Sequence, residues 1–245
     1  MAGVSDVTGG FASVTVCETI HLLQLTASPD YMVNELNFDN EHTVTAEIVG
    51  GTGPTRDIDF LVGGQNGATA MPPNASIPAD PNVPVDFVYT VPQDCASLGV
   101  DTITVSTVIA GLEDSIVVEK EWIDTVPPEV SCDPSVNPHG HETPPTENGF
   151  YQLNAVDPYL ANCTVTLQVV DGDGFVFPGP FLPGDNIKYT QADGAPQKQM
   201  KIGSTQGQAG EVKYHLKGHG DLTLIGTDPS GNVSTDICLV PPPPQ

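Results

Sequence analysis

Hydrophobic and polar residues alternate one for one along many short stretches of this chain. In His42–Val49 the apolar residues are Val44, Ala46 and Ile48, separated by threonine and glutamate. The same spacing returns along the first half in these sets: Ile58, Phe60 and Val62; Val85, Phe87 and Tyr89; Ile103 and Val105; Ile116, Val118 and Trp122. A period of two is typical of strands with one buried and one solvated face. The first half therefore predicts β-strands, and no window has the i, i+3, i+4, i+7 spacing of an amphipathic helix.

Alternation resumes in the second half, after a break at Val126-Pro127-Pro128. The apolar sets there are Tyr151, Leu153 and Ala155; Cys163, Val165, Leu167 and Val169; Val212, Tyr214 and Leu216; Leu222 and Leu224. Proline fixes φ and donates no hydrogen bond, so the pair predicts a short, stiff hinge. We predict an all-β chain with two sandwich domains in tandem, over residues 20–124 and 125–240. The second contains a long insert with a strand near Ile187–Thr190, residues 1–19 form an N-terminal extension, and residues 241–245 form a proline-rich tail.

Composition supports short strands joined by tight turns, since the 245 residues include 25 glycines and 24 prolines. Charge is strongly one-sided, with 31 acidic residues against seven basic ones and a formal net charge of −24. This charge argues against nucleic acid and anionic membranes as partners, and leaves other protein domains or further copies of this chain. No apolar run approaches the roughly 18 residues that cross a bilayer, and the first residues lack the features of a signal peptide.

Five cysteines, none in a CxxC pair, predict disulfides in an oxidising compartment rather than a zinc or haem site. The simplest pairing has two disulfides, each within one domain, and one remaining thiol. Cys17 paired with Cys95 would tie the N-terminal segment to the first domain, while Cys132 and Cys238 mark the first and last strands of the second. Within the second domain, Cys163 competes with either Cys132 or Cys238. We therefore expect a secreted or cell-surface protein.

The N-terminal segment precedes the first strand that we expect, near Ile20–Thr26. It carries three apolar residues among small and polar ones: Phe11, Val14 and Val16. One interpretation is a frayed terminus or an extra edge strand of its own domain. The other is a strand donated to a neighbouring subunit, because an extended segment can complete a partner's sheet edge. Both interpretations stay open on the sequence alone.

The first half carries several blocks in order: LTASPDYMVNELNFDNEHTVTAEIVGG, VDFVYTVP, GVDTITVSTV and EKEW. Over Leu23–Trp122 these blocks resemble bacterial immunoglobulin-like domains of the invasin type, apart from the proline-rich Met71–Pro84 and two cysteines. The second half opens with DTVPPEVSC and closes with GTDPSGNVSTDIC, which are similar to the ends of secreted bacterial immunoglobulin-like and hyalin-repeat domains. The resemblance implies two immunoglobulin-like β-sandwiches in an extracellular multidomain protein, with spacer or binding roles and no catalysis.

Several aspartates lie in turns whose oxygens could bind Ca²⁺. Asp124 lies at the hinge, Asp157 follows a strand, Asp171 and Asp173 alternate with glycines, and Asp228 begins Asp-Pro-Ser-Gly-Asn. Ca²⁺ takes six to eight oxygen ligands, which such turns supply through side chains and carbonyls. In the resembling tandem domains hinge aspartates bind Ca²⁺, and Asp124 and Asp228 match those motif positions. The alternative is a solvated acidic surface and, for Asp-Gly, an ordinary hairpin turn.

No catalytic motif is present, since the sequence lacks GxSxG, HExxH, a P-loop and a glycine-rich dinucleotide fingerprint. We expect no enzyme, and no cofactor beyond Ca²⁺. Two histidine pairs, His139 with His141 and His215 with His219, could bind a transition metal if the fold brought them together. Surface positions are the simpler expectation for these histidines.

These observations predict an extracellular structural or adhesive module, a rigid segment of a bacterial surface or secreted protein. One alternative is a protomer of an extracellular filament that assembles through strand donation by the N-terminal segment. Another is a carbohydrate-binding accessory module of a secreted enzyme. Such a module needs exposed aromatic residues, and the single tryptophan, Trp122, falls at a predicted core position.

Overall fold

The computed structural model describes residues 23–134, 149–191, 195–201 and 212–239. Within these ranges the chain forms sixteen strands and one short 3-10 helix, Cys95–Ser97. The strands of the first half are β1 (Gln24–Ser28), β2 (Tyr31–Glu35), β3 (Glu41–Val49), β4 (Arg56–Gly64), β5 (Asn74–Ala79), β6 (Val85–Thr90), β7 (Gly99–Ile109) and β8 (Leu112–Ile123). Those of the second half are β9 (Glu129–Pro134), β10 (Gly149–Val156), β11 (Thr166–Val170), β12 (Asn186–Gln191), β13 (Lys198–Lys201), β14 (Val212–Gly218), β15 (Leu222–Thr227) and β16 (Val233–Cys238). The strand-donor candidates Phe11, Val14 and Val16, together with Cys17, His139, His141 and the tail, lie outside the described residues.

Four sheets form two β-sandwiches, each closed around one hydrophobic core. In the first half the sheet β1-β3-β6 packs on the sheet β2-β8-β7-β4-β5, and in the second half β13-β14-β12-β10-β9 packs on β11-β15-β16. Pairing is antiparallel except between β2 and β8 and between β12 and β14. The prediction of an all-β fold with two immunoglobulin-like sandwiches is confirmed.

Alternation along the sequence becomes alternation of burial in the first sandwich. Val44, Ala46 and Ile48 on β3 point into the core, as do the apolar residues of β4, β6, β7 and β8. The β7–β8 hairpin closes at Ala110 and Gly111, whose φ angles of 53° and 81° are typical of a tight two-residue turn. This turn places the eleven residues of β7 opposite β8 without a bulge.

One buried polar network lies at the end of the first sandwich that meets the second half. Asp101 on β7 accepts hydrogen bonds from the Trp122 indole (2.8 Å), the Tyr89 hydroxyl (3.2 Å) and the backbone amide of Asn66 (2.7 Å). Lys120 lies directly opposite Asp101 in the β7–β8 ladder, and its ammonium group lies 4.5 Å from the centre of the Trp122 ring. Burial lowers the pKa of Lys120 to about 8, although Asp39 and Asp101 act in the opposite direction. The network confirms that Trp122 is a core residue, 1% exposed.

The second sandwich has strands where the alternation predicts them, and two strands of its five-stranded sheet come from the long insert. The strand expected near Ile187–Thr190 is β12, and β13 adds a further short strand in the following segment, paired with β14. A disulfide joins Cys132 on β9 to Cys238 on β16, the pairing suggested by their positions on the first and last strands. This bond ties the edges of the two sheets together within one core.

The two cores meet at a loop of the second half. Leu160, between β10 and β11, is 3% exposed and belongs to the core of the first sandwich, and Cys163 packs against the same core. We call residues 157–163 the clamp loop, because they belong in sequence to the second half and in packing to the first.

A candidate metal centre at the junction of the sandwiches

Three aspartates, each directly following a strand, converge where the two sandwiches meet. Asp124 follows β8, Asp157 follows β10 and Asp228 follows β15. One carboxylate oxygen from each lies within 4.8 Å of one from each of the others. All three residues are buried, with exposures of 6%, 7% and 5% respectively. We call these three residues the junction cluster, and the sequence had proposed all of them as Ca²⁺ ligands.

Each aspartate of the junction cluster is oriented by its own turn. The Oδ1 atom of Asp124 accepts a hydrogen bond from the backbone amide of Val126 (2.9 Å), and that of Asp157 accepts two, from Tyr159 (2.9 Å) and Leu160 (2.8 Å). The Oδ1 atom of Asp228 likewise accepts from the amide of Asn232 (2.9 Å). Such turns are a common use of aspartate after a strand. They hold one oxygen of each carboxylate and leave the other for the junction.

The Oδ2 atoms of the junction cluster accept few hydrogen bonds from the described residues. Within the described residues the Oδ2 atoms of Asp124 and Asp157 are buried and have no hydrogen-bond partner. The Oδ2 atom of Asp228 accepts one bond, from the side-chain amide of Asn232 (2.9 Å), whose nitrogen also donates to the backbone carbonyl of Asp124 (3.1 Å). A buried carboxylate oxygen without a donor costs free energy, so two of them together require a compensating positive group.

Asn37, in the loop between β2 and β3, contacts the junction cluster. Its side-chain amide nitrogen donates to Oδ1 of Asp124 at 2.7 Å, and its own Oδ1 is buried without a hydrogen-bond partner in the described part of the chain. Nothing in the sequence distinguishes Asn37 from the other polar residues of its loop, so the pattern could not have found it. Its amide group helps to orient the carboxylate of Asp124.

Among the described residues, no ion pair neutralises the junction cluster. The ion pairs among the described residues are Lys213 with Asp185 and His219 with Asp173, and neither involves the cluster. Three buried like charges at this spacing repel strongly unless a proton or a cation offsets them. The candidate ligands are all hard carboxylate oxygens, which suit Ca²⁺ better than Zn²⁺, whose typical ligands are nitrogen and sulfur. The residues present therefore fit a bound Ca²⁺ ion.

The disulfide beside the cluster corrects a sequence prediction. Cys95 pairs with Cys163 of the clamp loop rather than with Cys17, with a Cα–Cα distance of 5.1 Å. The prediction assumed that each disulfide stays within one domain, whereas docking of the clamp loop brings Cys163 against the first sandwich. A carboxylate oxygen of Asp157 lies within 4.8 Å of both sulfur atoms, which are bonded to each other and so do not act as metal ligands.

Further contacts hold the clamp loop on the first sandwich. The amide of Cys95 donates to the carbonyl of Ala161, and the amide of Ala161 donates to the carbonyl of Gln93, both at 3.1 Å. The rings of Phe38 and Tyr159 meet edge to face, with centroids 5.5 Å apart. The two halves are therefore joined by apolar, hydrogen-bonding and covalent contacts around the junction cluster.

The remaining proposed ligands do not join this cluster. Asp171 accepts backbone hydrogen bonds from Asp173, Phe175 and His219, and although burial raises its pKa, these bonds outweigh that effect and lower it. Asp173 pairs with His219 at 2.7 Å. The side chain of His215 contacts Thr190, at 2.9 Å. Asp171, Asp173 and His219 thus organise a turn of the second sandwich. Convergence of the two histidine pairs stays a prediction, because His139 and His141 lie outside the described residues.

Comparison with known proteins gives only distant similarities. No protein-family model matches the sequence, and no curated protein matches it. Among solved structures, the amphioxus IgVJ-C2 molecule shares 10% identity over 86% of this chain and 99% of its own, with a TM-score of 0.41. The fibronectin(III)-like modules of Clostridium thermocellum CbhA share 14% identity over 87% and 91%, with a TM-score of 0.27, and the YadV chaperone shares 11% over 88% and 98%, with a TM-score of 0.30. At these TM-scores the sandwich assignment rests on the strand pairing and the two cores.

Two further findings concern the environment of the protein. Two disulfides are present, and disulfides are typical of oxidising compartments outside the cytosol. In the described ranges no helix has the length and apolar character needed to cross a membrane.

Proposed function

We propose that this chain is a rigid two-sandwich segment of an extracellular bacterial surface or secreted protein, in which Ca²⁺ bound by the junction cluster holds the two sandwiches in one orientation. The observation that carries the proposal is the convergence of three buried carboxylates from both halves of the chain, two of them with an unpartnered oxygen among the described residues. The function follows from this placement, because a cation bound there contacts Asp124 of the first half and Asp157 and Asp228 of the second.

The surrounding contacts support a mechanical role. The hinge, Val126-Pro127-Pro128, has little backbone freedom, and the clamp loop bridges the junction at a second place through Leu160 and the Cys95–Cys163 disulfide. Two connections between the sandwiches restrict the rotation of one sandwich against the other that a single linker would allow. The carbohydrate-binding alternative gains no support from Trp122, because its ring is buried in the first core.

The test combines calcium binding with shape in solution. Protein freed of metal with EDTA is titrated with CaCl2 by isothermal calorimetry, and small-angle X-ray scattering is recorded with and without Ca²⁺. We expect one binding event per chain and a narrower distribution of interatomic distances with Ca²⁺. Asp124→Asn should weaken binding, whereas Asp59→Asn, which removes the same charge from an exposed position on β4, should not. Absence of binding, or equal loss in both variants, would exclude the proposal.

A further inference from the structure

We propose that the Cys95–Cys163 disulfide controls calcium binding at the junction cluster, so that reduction of this bond weakens Ca²⁺ affinity and bound Ca²⁺ protects the bond from reduction. The inference rests on the proposed function, since it concerns the same cation site. It makes the calcium affinity of the site depend on the oxidation state of a disulfide.

The clamp loop connects the two groups within a few residues. Asp157 is its first residue and Cys163 its last, and the Asp157 carboxylate lies within 4.8 Å of both sulfur atoms. The loop is compact between these ends, because Asp157 accepts the backbone amides of Tyr159 and Leu160. Movement of Cys163 away from the first sandwich therefore moves the ligand at the other end of the loop.

The partner cysteine is firmly anchored in the first sandwich. Cys95 begins the 3-10 helix, whose N-cap Asp94 accepts from the amide of Ser97 at 3.1 Å. The side chain of Gln65 donates to the carbonyl of Ala96 at 2.6 Å, and that of Asn66 donates to the carbonyl of Ser97 at 3.0 Å. The disulfide thus ties the clamp loop to a fixed point of the first sandwich.

The direction of the coupling follows from the charges. Without a cation the three carboxylates repel one another, and the disulfide is the covalent restraint that keeps Asp157 near Asp124. After reduction, the repulsion can separate them, and Ca²⁺ must then offset the cost of bringing the loop back. Coupling between sites is reciprocal, so the factor by which reduction weakens Ca²⁺ binding equals the factor by which Ca²⁺ disfavours reduction.

The redox step is an ordinary thiol–disulfide exchange. A dithiol such as dithiothreitol attacks one sulfur, forms a mixed disulfide and then closes its own ring. The dithiol loses two electrons and two protons, and Cys95 and Cys163 gain them as two thiols. Both cysteines are partly exposed, whereas Cys238 is 0% exposed and Cys132 is 7% exposed, so the junction disulfide is the more accessible of the two.

The experiment measures both sides of the coupling in the full chain. The protein is equilibrated with mixtures of reduced and oxidised dithiothreitol in EDTA or in saturating CaCl2, free thiols are alkylated, and peptide mass spectrometry follows each disulfide separately. We expect Ca²⁺ to lower the equilibrium constant for reduction of Cys95–Cys163 by about five-fold or more, within the usual range of coupling between sites, and to leave that of Cys132–Cys238 unchanged. Asp228→Asn should abolish the protection.

Calorimetry on variants gives the reciprocal measurement. Cys95→Ser/Cys163→Ser should bind Ca²⁺ at least about five-fold more weakly than the oxidised wild type, while Cys132→Ser/Cys238→Ser should keep its affinity. Equal affinities together with equal reduction equilibria would overturn the coupling and leave the cation site in place. Absence of calcium binding to the oxidised wild type would instead remove the proposed function itself. If the cysteine variants do not fold, the reduction equilibria of the wild type with and without Ca²⁺ decide alone.

Discussion

Asp157→Asn should have opposite effects on stability with and without Ca²⁺. The Oδ2 atom of Asp157 has no hydrogen-bond partner among the described residues, and an asparagine carbonyl can still accept the amides of Tyr159 and Leu160. The substitution therefore removes charge while it preserves the turn. In EDTA it relieves repulsion and should stabilise the protein, whereas in Ca²⁺ it removes a ligand and should destabilise it.

The size of the change in the free energy of unfolding follows from the spacing of the carboxylates. Two unit charges 4.8 Å apart repel by about 3.5 kcal/mol at an effective dielectric constant of about 20, and replacing Asp157 removes two of the three pairs in the cluster. Water that enters the junction screens much of this energy, so we expect at least about 1 kcal/mol of added stability in EDTA. In Ca²⁺ at a hundred times its dissociation constant, the wild type gains about 2.7 kcal/mol, and the variant loses most of that gain.

The assay is urea unfolding, read by far-UV circular dichroism, of the wild type, Asp157→Asn and the charge-matched control Asp59→Asn. Each protein is measured in EDTA and in CaCl2 at one ionic strength. The order of stability of wild type and Asp157→Asn should reverse between the two conditions, and the control should follow the wild type. Destabilisation of Asp157→Asn by the same amount in both conditions would refute the reasoning. A wild type that Ca²⁺ does not stabilise would show that a shared proton, rather than a cation, offsets the repulsion.

Three further predictions concern the core of the first sandwich. Asp101→Ala should lower the free energy of unfolding by about 3–5 kcal/mol in urea, because it leaves the Tyr89 and Trp122 donors and the Lys120 charge buried without it. Lys120 has a folded pKa of about 8 against 10.5 unfolded, so the unfolded state binds more protons between these values. Its contribution to the free energy of unfolding should therefore rise as the pH rises from about 8 to 10.5. Lys120→Met should remove this rise. Urea unfolding of the wild type and the variant at several pH values measures the difference. Leu160→Ala should cost about 2–5 kcal/mol and weaken Ca²⁺ binding measured by calorimetry, whereas the exposed Leu61→Ala should change neither.

The strands were predictable because their signal is local. Side chains of a strand alternate between two faces, so Val44, Ala46 and Ile48 reveal their shared face in the sequence itself. The same holds for the turns, since Asp124, Asp157 and Asp228 each follow a strand and accept a nearby backbone amide. Sequence therefore determined the all-β class and the individual turn aspartates.

Which of these aspartates meet was decided by the tertiary structure. Asp124 and Asp228 lie over a hundred residues apart, and only the docking of the second sandwich on the first brings them within 4.8 Å. Asp171 and Asp173 have an equally suggestive sequence, yet their turn lies elsewhere, and nearby backbone amides together with His219 satisfy their carboxylates. The Cys95–Cys163 pairing depends on the clamp loop, which is docked by the burial of Leu160 in the core of the other sandwich. Local period determines which face a side chain takes, whereas contacts between distant segments depend on how complete surfaces pack, and no short stretch of sequence carries that information.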